Sequence, residues 1–310
     1  MVELSVIIPI YNEEENIGIL FSRLSKVLEN ISPNYELIFI NDGSRDRSVE
    51  LIKELAKQHN RVKFIDFSRN FGHQIAVSAG IDVALGNAVV IIDADLQDPP
   101  ELIADLYIKL KQGYQVVYAK RKQRKGDSFM KKTTAKLFYR VLARITSINI
   151  PVDTGDFRII DKKVVTVLRE MPEQQKFLRG QISWIGFKQT HVEYERDERL
   201  AGTTGYTYKK MLRLALDGIT SFSNFPLKFA TFTGFAVSGF SFFMIVYAMY
   251  GKYISHDIEP GWTSLMMAIS FIGGVQLIGI GIIGEYISRM SANIRKRPLY
   301  IINESNINQN

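Results

Sequence analysis

The chain contains no cysteine and only four histidines among its 310 residues. It therefore has no disulfide framework, no thiolate zinc site and no cysteine nucleophile, and it offers few imidazole ligands. Any metal chemistry must depend mainly on carboxylates. The length is sufficient for one packed globular domain together with a smaller unit.

Charged side chains are absent from two long windows in the last third of the chain. No Asp, Glu, Lys or Arg occurs in residues 229–251 or in residues 260–284. About 20 mostly apolar residues cross a hydrocarbon core of roughly 30 Å, so each window is long enough to span a membrane. The alternative is a pair of buried helices in a soluble bundle, although soluble helices usually keep a polar face. We predict two transmembrane helices, at about 229–251 and 261–284.

The flanking charges predict the orientation of this hairpin. Lys228 precedes the first window, and a cluster of basic residues follows the second: Arg289, Arg295, Lys296 and Arg297. By the positive-inside rule both ends of the hairpin face the cytoplasm. We therefore predict a protein of the cytoplasmic (inner) membrane whose N-terminal two-thirds and both termini lie on the cytoplasmic side. The first residues lack the basic region of a secretory signal peptide.

The excess of positive charge is confined to one stretch. Residues 120–144 contain ten basic residues and one acid, a local charge of +9, so the rest of the chain sums to −2. Residues 128–148 are predicted to form a basic amphipathic helix on anionic membrane lipids, and residues 206–225 a second one. The alternative is an ordinary core helix with a solvated charged face. Nucleic-acid binding is not expected, because the basic residues accompany an apolar helix face.

Strand-like and helix-like segments alternate through the first 120 residues, which predicts an α/β fold with a mostly parallel sheet covered on both faces. Ligands of such sheets bind beyond the carboxyl ends of the strands. The predicted strands are residues 4–10, 35–40, 62–67, 88–92 and 116–119, and the predicted helices are residues 16–29, 46–58, 73–85 and 99–111.

Acidic residues follow three of these strands. Glu13 follows the first and Asp42 the second, whereas Asp93 and Asp95 follow the fourth. Residues two apart in extended chain project the same way, and hard oxygen ligands suit Mg²⁺ or Mn²⁺ on a diphosphate. The alternative is that these are turn residues, with Asp98 as the N-cap of the next helix.

Four segments carry a family resemblance: Ser5-Val-Ile-Ile-Pro-Ile-Tyr-Asn-Glu, Asn41-Asp-Gly-Ser, Ser68-Arg-Asn-Phe-Gly-His and Asp93-Ala-Asp-Leu-Gln-Asp-Pro-Pro. They resemble the inverting family 2 glycosyltransferases, and more narrowly the polyprenyl-phosphate glycosyltransferases, the dolichol-phosphate mannose synthase and bactoprenol glucosyltransferase group. The resemblance covers about residues 3–225, and the two-span tail matches the bactoprenol branch. It implies a GT-A (Rossmann-like) fold that binds a nucleotide sugar through Mg²⁺ or Mn²⁺.

The resemblance also implies roles for individual residues. Pro9, Tyr11, Glu13 and Asp42 would hold the nucleobase and ribose, and Arg199 the donor phosphates. Asp93, Asp95 and Gln97 would hold the metal and the diphosphate. Arg121, with Lys131 and Arg124, would contact the acceptor phosphate. Catalytic roles would fall to Asp95, Asp156 and Arg158. Asp156 is the position usually called the base, and the alternative is that it orients the sugar or the arginines. The alternative for Arg158 is a surface salt bridge. His73 would help to shape the sugar pocket.

By this resemblance the chain transfers a hexose to a polyprenyl phosphate such as undecaprenyl phosphate. The favoured donor is UDP-glucose, and GDP-mannose, UDP-N-acetylglucosamine and an aminoarabinose donor remain open. A homo-oligomer, namely a tetramer, is expected because two transmembrane helices bury little of their lipid-facing surface by themselves. The alternatives are a processive synthase, whose Gln-x-x-Arg-Trp motif is absent, and an inert membrane scaffold.

The predicted domain organisation has four parts. Residues 1–205 form the cytoplasmic catalytic domain and residues 206–225 the second interface helix. Residues 226–288 form the transmembrane hairpin, and residues 289–310 a cytoplasmic tail.

Overall fold

The structure, a computed structural model, describes residues 2–122, 154–195, 223–250 and 261–307. The predicted interface helix at 128–148 and nearly all of the one at 206–225 lie outside the described residues. The same holds for three predicted site residues: Arg124, Lys131 and Arg199.

One eight-stranded sheet organises the N-terminal domain, in the order β7-β5-β6-β4-β1-β2-β3-β8. Six strands run in one direction, whereas β6 and β8 are antiparallel to their neighbours. The predicted mostly parallel α/β sheet is therefore confirmed. The strands are β1 (Leu4–Ile10), β2 (Tyr35–Asn41), β3 (Val62–Phe67), β4 (Ala88–Ile91), β5 (Val116–Arg121), β6 (Thr154–Asp161), β7 (Gln189–Tyr194) and β8 (Ile302–Ser305).

Helices cover both faces of the sheet and account for the apolar runs of the strands. Every residue of β1, β2 and β4 is buried, as expected of strands covered on both sides. The helices are α1 (Ile17–Ile31), α2 (Ser48–Gln58), α3 (His73–Val83), α4 (Ile103–Lys111), α5 (Lys162–Glu170), α6 (Leu178–Ile185), α7 (Phe225–Tyr250) and α8 (Trp262–Arg295).

The predicted element boundaries in the first 120 residues hold to within two residues, with one exception. The fourth helix opens with a 3₁₀ turn, Pro100–Leu102, before α4 begins. The expectation that Asp98 caps this helix is wrong, because the turn has no side-chain cap. Asp98 is instead buried and accepts a hydrogen bond from the Tyr194 hydroxyl.

Three strands were not predicted: β6, β7 and β8. β7 pairs parallel with β5 at one edge of the sheet. β6 inserts antiparallel between β4 and β5. β8, in what was expected to be a plain tail, pairs antiparallel with β3 at the other edge of the sheet. Asn303 Nδ2 donates to Asp66 at 2.9 Å, and the Tyr300 ring stacks on Phe67 with centroids 5.0 Å apart. Residues 302–305 are thus part of the N-terminal sheet.

The two C-terminal helices are long and apolar enough to cross a membrane, by length and composition. None of the apolar window in either helix is buried, so the alternative of two core helices in a soluble bundle does not hold within this chain. Large side chains such as Phe235 and Leu277 are 76% and 71% exposed, which a water-soluble monomer would rarely tolerate.

Glu3, beside the start of β1, ties that strand to α4. Its carboxylate accepts from the Tyr107 hydroxyl at 2.5 Å and from Lys111 Nζ at 2.8 Å. The hydrogen bonds from Lys111 and Tyr107 lower the pKa of Glu3 to about 2. Because the folded-state pKa is depressed, this stabilisation is present above the ordinary pKa and is lost as the pH falls through the lowered value.

We expect Glu3→Gln to reduce the free energy of unfolding by about 1 kcal/mol at pH 7, a value discounted because Lys111 is largely exposed. The deficit should shrink as the pH falls from 4.5 towards 2. Denaturant unfolding of the full chain in detergent, followed by circular dichroism at both pH limits, measures it. A deficit of equal size at both limits would contradict the ion pair as its source.

Candidate active site

The predicted site residues converge on one edge of the sheet. Asp42 and Asp93 follow the carboxyl ends of β2 and β4, and Arg121 ends β5. Because β6 runs in the opposite direction, its amino end, with Asp156, lies at the same edge between β4 and β5. The reversed strand therefore adds an acid to an edge that the parallel strands already supply with carboxylates.

Asp156 is the centre of a hydrogen-bond cluster. Its Oδ2 lies 3.1 Å from His73 Nε2 and accepts from Gln74 Nε2 at 3.3 Å. Its Oδ1 accepts from Arg179 Nη2 at 3.3 Å and from Arg158 Nη2 at 3.5 Å. Burial alone would raise the pKa of Asp156, but the contacts with His73, Arg179 and Arg158 hold it well below its usual range.

His73, at the start of α3, lies between two acids. Its Nε2 is 3.6 Å from Asp93 Oδ1 as well as 3.1 Å from Asp156 Oδ2. Burial opposes protonation of the imidazole, but the carboxylates of Asp93 and Asp156 outweigh it and raise the pKa of His73 to about 9. The ring is therefore a cation at neutral pH, and it links the acid after β4 to the acid on β6.

Arg158 is a buried member of the same cluster, with only 4% of its surface exposed. Its Nη2 donates to the Gly155 carbonyl at 3.0 Å and its Nε to the Asp156 carbonyl at 3.1 Å. Burial lowers the pKa of Arg158 to about 10, which leaves it cationic at neutral pH. The surface salt bridge considered for Arg158 is therefore wrong.

Asp42 stabilises the loop that leads into α3 by accepting hydrogen bonds from its backbone. It is buried, and its carboxylate accepts from the backbone N–H of Phe71 at 2.6 Å and from that of Gly72 at 3.0 Å. Burial raises the pKa of Asp42 despite these bonds. Pro9 is buried within β1, Tyr11 is 46% exposed at the rim, and the Glu13 side chain accepts from Asn16 at 2.6 Å.

Comparison with known proteins identifies the family of this chain. The sequence model described as glycosyl transferase family 2 matches residues 5–168. The chain belongs to glycosyl transferase family 2. It is 51% identical over 304 residues to the uncharacterized glycosyltransferase YkcC of Bacillus subtilis, covering 98% of this chain and 94% of the relative. It is 40% identical over 303 residues to the bactoprenol glucosyl transferase of Shigella phage SfII, covering 98% of each.

Among solved structures, the glycosyltransferase is similar to glucosyl-3-phosphoglycerate synthase from Mycobacterium tuberculosis in complex with Mn²⁺, UDP and phosphoglyceric acid. The TM-score is 0.47 at 16% identity, over 71% of this chain and 76% of that one. Family membership and the mostly parallel sheet with strand β6 reversed establish the GT-A-like fold expected from the sequence.

The acidic residues after β4 fit a divalent cation. Burial, together with the carboxylates of Asp156, Asp98 and Asp95, raises the pKa of Asp93 to about 6, although His73 opposes this. Asp93 Oδ1 is buried and has no hydrogen-bond partner among the residues that the structure describes. A bound cation would relieve this excess of negative charge.

The ligand set in this part of the chain is small. Within the described ranges, no three His, Asp or Glu side chains are grouped so that they could hold a metal alone. Two carboxylates and an amide, from Asp93, Asp95 and Gln97, suit Mg²⁺ or Mn²⁺, because such ions complete their shell with water and substrate phosphates. Leu96 has a φ of 57° between Asp95 and Gln97, and the Gln97 N–H donates to Asp95 Oδ1 at 3.1 Å.

Three residues at this sheet edge were missed by the sequence analysis: Gln74, Arg179 and Tyr194. Gln74 directly follows the Asn-Phe-Gly-His segment, so its position was the one available signal. Arg179 and Tyr194 come from α6 and the end of β7, and only the fold brings them to the edge. Arg179 Nε is buried and lacks a hydrogen bond within the described residues, which favours an anion nearby.

Gly43, in the Asn-Asp-Gly-Ser segment, allows two loops to meet closely. Its φ is +67°, and a Cβ would lie 2.5 Å from the backbone of Arg69 and Asn70. Gly43→Ala should therefore displace the loop that carries His73, reduce the transfer rate at least about tenfold and cost about 2 kcal/mol or more of stability. Steady-state transfer and denaturant unfolding measure both effects.

Gly113→Ala is the matched control for this prediction. Gly113 also has a positive φ, +98°, but a Cβ there would meet nothing within 4 Å. It should show only the conformational cost of about 1 kcal/mol and no loss of rate. Equal behaviour of the two variants would show that the close approach at Gly43 is unimportant.

Proposed function

We propose that this glycosyltransferase transfers a hexose, glucose from UDP-glucose, to a polyprenyl phosphate such as undecaprenyl phosphate, with inversion at the anomeric carbon. The observation that carries the proposal is the meeting, at one sheet edge, of a carboxylate pair suited to a metal-bound diphosphate with the cationic groups around Asp156. The relative from phage SfII, named a bactoprenol glucosyl transferase and 40% identical over almost the whole chain, supports this acceptor class.

The donor half of the site is formed by residues after β1, β2 and β4. Asp93, Asp95 and Gln97 would hold Mg²⁺ or Mn²⁺, while Tyr11, at the exposed rim, and Glu13 would face the nucleoside. Bound there, the metal would offset the negative charge that develops on the departing nucleoside diphosphate. Pro9 and Asp42 are buried, so we assign them the shaping of this pocket, with Asp42 acting through the loop to His73.

Asp156 is proposed to organise cations rather than to remove a proton. Both of its oxygens already accept hydrogen bonds, and its pKa is held well below the usual range, which makes it a weak base. A phosphate monoester acceptor is already anionic near neutral pH and needs no deprotonation. Asp156 would therefore hold His73, Arg158 and Arg179 where negative charge passes from acceptor to leaving group.

The acceptor half lies at the end of β5, where Arg121 would bind the lipid phosphate. Arg124 and Lys131 are proposed to assist, and Arg199 to contact the donor phosphates. The hairpin of α7 and α8 would anchor the enzyme in the cytoplasmic membrane, with the catalytic domain and both termini on the cytoplasmic side, beside anionic lipids. We also propose that the enzyme forms a homo-oligomer, namely a tetramer.

The donor and the metal are tested together. Radiolabelled sugar from UDP-glucose should enter undecaprenyl phosphate in detergent with Mg²⁺ or Mn²⁺, and EDTA should stop the reaction. Asp95→Ala should lower the rate by about 100-fold or more, because one of two acidic metal ligands is lost. Asp105→Ala, the same change at an exposed position of α4, should leave the rate unchanged.

Parallel reactions with GDP-mannose, UDP-N-acetylglucosamine and an aminoarabinose donor decide the sugar. Labelled lipid from one of these, and none from UDP-glucose, would replace the proposed donor and keep the enzyme class. Absence of transfer from every donor, while UDP still binds, would instead favour the inert membrane scaffold.

The role of Asp156 is tested by Asp156→Asn. We expect kcat to fall by about 10²- to 10³-fold, because the charge that holds three cations is removed. The wild-type rate should show no dependence on a group titrating near the ordinary pKa of aspartate, since the pKa of Asp156 is held far below it. Initial rates with saturating substrates from about pH 3 to pH 7 provide the measurement.

Asp161→Asn is the matched control, because Asp161 lies on the same strand and caps α5 through the Lys163 N–H at 2.8 Å. It should retain the wild-type kcat. A full rate in Asp156→Asn would refute the proposed organising role, and an equal loss in both variants would point to damage of β6 rather than to loss of the cluster.

A further inference from the structure

Arg121 is the first residue in a chain of hydrogen bonds that links residues at the ends of three strands. Its Nε donates to the Tyr194 hydroxyl at 3.4 Å, and that hydroxyl donates to Asp98 Oδ1. Asp98 follows β4, Arg121 ends β5 and Tyr194 ends β7. The chain thus connects the segment that carries the metal-binding acids to the arginine proposed for the acceptor phosphate.

Both supporting residues are shielded from water. Asp98 is 1% exposed and Tyr194 is 6% exposed, and the Tyr194 ring belongs to the hydrophobic core. Water therefore cannot replace a lost hydrogen bond in this chain, and each bond restrains its partner more than a surface contact would. The negative charge of Asp98 also faces Arg121, whose pKa is raised by Tyr194 and Asp98 although burial opposes it.

The backbone holds this arrangement in register. Arg121 and Tyr194 are direct partners in the parallel pairing of β5 and β7, and the Lys122 N–H donates to the Tyr194 carbonyl at 2.8 Å. On the other side lies Gly155, where a Cβ would be 3.0 Å from Arg121 Nη2. The guanidinium is therefore fixed at Nε and confined beside Gly155, the neighbour of Asp156.

A guanidinium held in this way is suited to an anion. Arginine has five N–H donors, and the Tyr194 hydroxyl engages the one on Nε. The fork of Nη groups is the part that binds phosphate oxygens in pairs, and its orientation depends on the fixed Nε. We propose that Tyr194 and Asp98 are positioning residues that hold Arg121 for the phosphate of the lipid acceptor. The inference rests on the proposed role of Arg121.

Tyr194→Phe tests the inference, because it removes the hydroxyl and keeps the ring. We expect the KM for undecaprenyl phosphate to rise about tenfold, while kcat and the KM for the nucleotide sugar stay within about twofold. A purely structural role would instead lower the active fraction, and so reduce kcat without changing the acceptor KM.

Tyr107→Phe provides the matched control. Its hydroxyl also donates to a carboxylate, that of Glu3, but at the opposite end of the sheet. It should leave both KM values unchanged. The same change in acceptor KM in both variants would overturn the inference, because the effect would then belong to any lost tyrosine–carboxylate bond.

Two further variants separate this inference from the proposed function. Arg121→Gln should raise the acceptor KM, and adding Tyr194→Phe to it should raise that KM no further. If Arg121→Gln leaves the acceptor KM unchanged, the role proposed for Arg121 fails. If Arg121→Gln raises it and Tyr194→Phe alone does not, only the positioning role fails.

Asp98→Asn covers the case in which Tyr194→Phe does not fold. It keeps an oxygen that accepts from the Tyr194 hydroxyl but removes the charge behind it. We expect a smaller increase of the acceptor KM, about threefold, with the donor KM unchanged. An increase confined to the donor KM would overturn the inference, because Asp98 would then act through the neighbouring donor site.

Discussion

The sheet edge with the candidate active site depends on one partly buried carboxylate, that of Asp156. It holds a histidine from α3, an arginine from its own strand and an arginine from α6 within 3.5 Å of its oxygens. Each of these cations would repel the others without it, and each is partly or fully removed from water. The position of Asp156 in turn depends on β6 running against its neighbours, because only that direction brings an amino end to the edge where the parallel strands finish.

Two regions of opposite charge lie side by side at this edge of the sheet. After β4, burial and the neighbouring carboxylates raise the pKa of Asp93, which suits a divalent cation and a diphosphate. Around Asp156 and at the end of β5, arginines and a protonated histidine accumulate, which suits phosphate oxygens. His73 joins the two regions, since its ring lies between Asp93 and Asp156. A transfer that moves negative charge from an acceptor phosphate to a leaving diphosphate needs both regions side by side.

Two contacts lie near the C-terminal end of α8. After α8, strand β8 returns to the sheet and pairs with β3, and Asn293 near the end of α8 accepts from the Gln174 N–H at 3.0 Å. The C-terminal end of the hairpin is therefore connected to the N-terminal domain.

The sequence by itself determined the α/β alternation, the two apolar helices, the family and the acids after the strands, because period, charge and short motifs are local properties. Asp42 and Asp93 were found at the ends of predicted strands, whereas Asp156 came from the family resemblance. The reversed β6, the edge strand β8, and the partners Gln74, Arg179 and Tyr194 were decided only by the tertiary structure. Asp98 shows the reason: locally it resembles a helix cap, but the distant Tyr194 offers it a buried hydrogen bond. Pairings between residues far apart in the chain leave no periodic trace, since they depend on which strand ends the folded sheet brings together.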